Sequence, residues 1–72
     1  MQQEYIESLE HTCRMYGVYE VTKAVKDYAK KTSKEYKEAG NKGAVIHQDA
    51  GILEIACNAM AIAHPLRSKD VQ

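Results

Sequence analysis

Seventy-two residues are too few for one hydrophobic core to supply more than about 3–5 kcal/mol, so a disulfide, a metal or a partner chain is expected to support the fold. Ten basic residues cancel ten acidic ones, and the most apolar stretch, Ile52 to Ala63, is broken by Glu54 and Asn58, which excludes a bilayer-spanning segment. With only Cys13 and Cys57 and no secretory signal at the start, a disulfide framework is excluded too, and a cytoplasmic setting, that of the host cell if the chain is phage-encoded, is expected.

The first predicted element is an amphipathic helix over residues 2–16. Tyr5, Leu9, Thr12, Cys13 and Tyr16 recur at spacings of three and four, and Glu4, Glu7 and Glu10 suit the positive end of a helix dipole. Gly17 then marks either a helix stop or a kink, because glycine accepts positive φ without a Cβ clash.

A second helix follows over 18–39, with Val18, Val21, Val25, Tyr28, Thr32 and Ala39 as its apolar stripe and Tyr36 close by. Opposite that stripe Lys23, Lys26, Lys30, Lys34 and Lys37 share an arc of about 80°. The bland reading of these lysines is a solvated face, supported by the spacings Asp27–Lys31 and Glu38–Lys42, each pair contributing a few tenths of a kcal/mol. The sharper reading is an anionic partner: an acidic protein surface, a small anion such as a nucleotide, or, less readily, nucleic acid. Residues 1–22 hold four acids against one arginine, while 23–42 hold seven lysines against three acids, so the middle of the chain is locally basic.

Gly40-Asn41-Lys42-Gly43 is the expected turn, short enough to send the next helix back antiparallel. That third helix is read over 44–64, ending before Pro65, with 65–72 as a frayed tail. The fold class is therefore all-α: one domain over 1–72, a short N-terminal helix plus a long antiparallel helical hairpin, assembling into a homo-oligomeric bundle.

The third helix is too apolar for one neighbour. Ile46, Leu53, Cys57 and Met60 point one way, while Ile52, Ile55, Ala59 and Ile62 point another, which makes the latter four the expected oligomer interface. Ala50, Ala56, Ala59 and Ala63 would let a facing backbone come close. His47, Glu54 and Asn58 fall in one polar arc and form the one candidate polar site, with Tyr19 and the five stripe lysines as candidates for contact with a partner or anion.

No catalytic group is expected. None of His11, His47 and His64 has a Glu three residues before it, so the carboxylate–histidine pattern of a di-metal bundle is missing, and no metal or cofactor is assigned. Cys13 and Cys57 lie among apolar positions, where free cysteines act as small hydrophobes.

The run Arg14-Met15-Tyr16-Gly17-Val18-Tyr19-Glu20-Val21-Thr22-Lys23-Ala24-Val25, an aromatic–glycine step that opens a long amphipathic helix, resembles short uncharacterised all-helical accessory proteins of tailed phages. The likeness covers residues 9–60 in pattern and carries no site residues across. It implies an inhibitor or accessory protein that binds a host component.

Overall fold

In a computed structural model the backbone is described for residues 1–71 and the side chains for residues 1–63. The described chain is all-helical: α1 spans Gln3–Tyr16, α2 Val18–Glu38 and α3 Val45–Val71. No described helix is long and apolar enough to cross a membrane.

Gly17 is the only residue between α1 and α2, at φ 88° and ψ 154°, a combination open almost solely to glycine. Its N–H closes α1 on the Cys13 carbonyl, and its own carbonyl accepts the Val21 N–H and so opens α2. The helices meet at this elbow, and α1 buries no residue of its own.

At the other end of α2 the expected turn has a specific hydrogen-bond pattern. The Asn41 N–H reaches the Tyr36 carbonyl at 2.8 Å, and the Gly40 N–H reaches Lys37 at 3.0 Å, with Gly40 at φ 87°. This pair of bonds, closed over a left-handed glycine, satisfies carbonyls that the last helical turn leaves open. Of the two glycines in the turn only Gly40 uses positive φ, and Asn41 does not.

Pro65 does not end α3, which runs to Val71, beyond the His64 boundary expected for it. A proline inside a helix removes one backbone donor and restrains the residue before it; here the helix continues across that single missing bond. The side chains of the expected tail, 65–72, lie outside the described residues.

Along α2 the contacts step from Ser33 down to Lys30 while along α3 they step from His47 up to Glu54, the order of an antiparallel pair. The seam between these helices is made of small residues: Ala29 is 2% exposed, Cys57 4%, Ser33 6% and Ala50 7%. This corrects the expected stripe. Tyr28, Val25 and Val18 remain largely exposed, and the residues facing α3 are Ala29 and Ser33, one turn apart. Small side chains let two helix backbones approach closely, and the bulky ones are then displaced to either flank.

The chain measures 46 × 32 × 13 Å, with a radius of gyration of 14.6 Å. A compact domain of this length would have about 11 Å. α1 touches only α2, and among the described residues no contact joins α1 to α3, so the helices lie side by side in one layer. Replacing Ala29 by Leu would force a bulky side chain into the seam; urea unfolding is expected to show a loss of about 1–3 kcal/mol, whereas Ala24→Leu, on the exposed side of α2, should cost little.

Candidate functional site

The polar arc of α3 and part of the lysine arc of α2 converge on a shallow groove of about 340 Å³ between the two helices. Lys30, Lys34 and Lys37 form one wall, His47, Gly51 and Glu54 the other, and Ser33 and Ala50 the floor.

His47 ties this groove to the turn. Its Nε2 lies 2.8 Å from the Asn41 carbonyl oxygen and its Nδ1 2.5 Å from Ser33 Oγ. A carbonyl can only accept, so Nε2 carries the proton, and neutral Nδ1 accepts the Ser33 hydroxyl. The glycine turn that positions Asn41 thus also orients the imidazole, and the imidazole satisfies the buried serine. No side-chain nitrogen or oxygen is left buried without a partner among the described residues. Ser33 and His47 are within hydrogen-bonding distance, but both ring nitrogens are engaged and the serine is buried in the seam, which makes the contact a latch between helix, turn and helix.

Lys30 Nζ donates to Glu54 Oε2 at 2.5 Å, and both side chains are about half exposed. The hydrogen bond from Lys30, and then its charge, hold the Glu54 carboxyl below the usual range; Lys26 adds a smaller pull. The same hydrogen bond and the Glu54 charge raise Lys30. Lys26 itself pairs with Asp27 at 3.5 Å. The spacing Asp27–Lys31 forms no ion pair, nor does Glu38–Lys42, because Lys42 lies in the turn beyond the end of α2. Lys34 and Lys37 are left on the groove wall without an acidic partner among the described residues.

The structure therefore brings together Lys30, Lys34, Lys37, His47 and Glu54. Lys23, Lys26, Asn58 and Tyr19 do not line the groove. Ser33 is the groove residue that periodicity passes over, although its position one turn after Ala29 and among larger side chains is the available signal. Of the expected interface residues, Ile52, Ile55 and Ile62 are 63%, 71% and 81% exposed, and Ala59 is exposed as well. Cys57 is buried in the seam and Cys13 half-buried, both as free thiols. Among the described residues no three His, Cys, Asp or Glu side chains cluster as metal ligands would.

Comparison with protein-family models, curated proteins and solved structures finds no match for this chain.

The Lys30–Glu54 pair sets a pH window. Glu54 titrates lower in the folded chain than unfolded, so its contribution is present above the ordinary carboxylate range and is lost as pH falls through the folded value. Lys30 titrates higher when folded, so its contribution persists through neutral pH and is lost as pH rises through that raised value. Melting curves of wild type and Glu54→Gln should differ most near neutral pH and converge in acid; a gap that stays constant across the carboxylate range would rule out the pair as its source.

Proposed function

We propose that this chain is a non-enzymatic, homo-oligomeric binding protein in which the α2–α3 hairpin is the assembling unit. The observation behind this reading is the mismatch between what is buried and what is not. The seam holds only small side chains, while Ile52, Ile55, Ile62, Tyr28, Val18 and others stand in solvent. Apolar area costs roughly 25 cal/mol per Å² when left in water, and a monomer with this much of it exposed has an unmet driving force for association. Copies of the same chain are the most economical cover, since most oligomers are built from identical subunits.

In this reading the polar groove and the lysines stay outside the assembly and face a partner. A protein partner fits the locally basic α2 and the amphipathic tyrosines, which serve well at protein interfaces. The likeness of residues 14–25 to phage accessory proteins favours a host protein as that partner and inhibition as the outcome.

Ile55→Asp places a charge on the most apolar side of α3. The subunit mass by native mass spectrometry should drop from that of the oligomer to one chain, with helix content retained; an unchanged mass would count against α3 as the assembly seam.

A second reading is favoured by Lys34 and Lys37, two cations without an acidic partner among the described residues, on a groove of about 340 Å³. Here the oligomer sequesters a small anion such as a nucleotide. A ligand bound only by the folded state raises the melting temperature by mass action. A shift with nucleotides that vanishes in Lys34→Glu/Lys37→Glu would favour capture; no shift with any of them would leave protein binding. Nucleic-acid binding would instead show an affinity that falls steeply with salt.

A further inference from the structure

The elbow at Gly17 opens a second, larger depression of about 600 Å³ between α1 and α2, lined by Thr12, Tyr16, Val21, Ala24, Val25 and Tyr28, with Glu20 at its rim. It is almost wholly apolar, and among the described residues no element of the same chain fills it. We infer that this elbow groove receives α3 of a second copy, whose Ile52, Ile55, Ala59 and Ile62 form the ridge that enters it. The inference rests on the homo-oligomeric reading and adds which surface meets which.

The chain carries both halves of the contact but cannot join them itself. α3 lies against α2 alone, and its ridge residues point away from the seam: at 100° per residue Ile55, Ala59 and Ile62 sit on the side of α3 opposite buried Ala50 and Cys57. Groove and ridge are thus on different helices, on different sides, and both exposed. A second copy supplies each with the other.

The apolar surface is also continuous. Val25 and Tyr28 line the elbow groove and, equally, a smaller depression over the α2–α3 seam that includes Ile46, Leu53 and Ile52. Ile52 therefore belongs both to the broad face and to the ridge, and no charged wall separates groove from ridge. By the same helical geometry Lys30, Lys34 and Lys37 lie across α2 from Tyr28, so stacking on the apolar face does not bury them.

Symmetry closes the arrangement. A two-fold axis running along α2 lays one layer on the other and carries α3 of each chain over the elbow of its partner, so groove and ridge are used twice and none is left over. A domain needs two packed layers around its core, and each chain provides one. The broad face, 46 × 32 Å, exceeds the roughly 800 Å² per partner of a standard stable interface.

The test combines mass with a cross-link. In a Cys13→Ser background, Ala24→Cys and Ile55→Cys put thiols in groove and ridge, both at exposed positions; mild oxidation should yield a disulfide-linked dimer on a non-reducing gel. Lys34→Cys paired with Ile55→Cys, on the opposite face, should yield none. Tyr28→Lys, which leaves the seam intact, should weaken the association about tenfold or more, with helix content unchanged by circular dichroism. A wild-type oligomer that gives neither the groove-to-ridge cross-link nor any response to Tyr28→Lys would overturn this seating while leaving homo-oligomerisation standing. A wild-type monomer at tens of micromolar would overturn both and give the groove to another molecule.

Discussion

The close approach of α2 and α3 along Ala29, Ser33, Ala50 and Cys57 is the contact on which the other features depend. Because these side chains are small, the helices meet nearly backbone to backbone, and nothing large can be buried between them. Every bulky apolar residue is consequently pushed out of the seam, either to the broad apolar face or to the outer edge of α3. The same displacement puts the lysines and the α3 polar arc together on the other side. One packing choice separates the layer into an apolar face and a polar one.

The turn and the polar groove depend on that seam in sequence. Gly40 lets the last turn of α2 close on Asn41, the Asn41 carbonyl receives His47, and His47 in turn takes the hydroxyl of Ser33 at the seam. Each link satisfies a polar group that the previous one leaves open, which is what a nearly dry seam demands of any polar atom placed in it. Glu54 and Lys30 then close the groove at the next turn. What remains is an imbalance: two lysines with no acidic partner among the described residues, on a wall otherwise neutralised.

Much of this was legible in the residues. The starts and ends of α1 and α2, the role of Gly17 as a break and the turn at Gly40 follow from periodicity and from glycine's freedom at positive φ, and the structure places them within a residue or so. The excess apolar surface of α3 was legible as well, because it follows from composition around a wheel and not from packing. The rotation of α2 was not. A stripe of valines and tyrosines looks like the buried side, since periodicity weighs side chains by hydrophobicity; the seam is chosen by closeness of approach, for which alanine and serine count more. The pairing of Lys30 with Glu54 in preference to local partners likewise depends on a helix 24 residues away, a relation no spacing rule contains. The boundary at Pro65 failed for a different reason: proline disfavours a helical neighbour but removes only one bond.

The exposed apolar area and the missing second layer are two descriptions of one fact. A helix layer 13 Å deep has no interior beyond its seam, and in a small chain whose two cysteines are both free the seam alone is a weak source of stability. Stability and assembly are then linked, because folding of each chain is completed only when its apolar face is covered. An arm such as α1, which buries nothing in its own chain and is aimed by a single glycine, gains its ordering energy from the partner it meets. The angle fixed at Gly17 would therefore decide the width of the groove, and through it which helix the groove can accept.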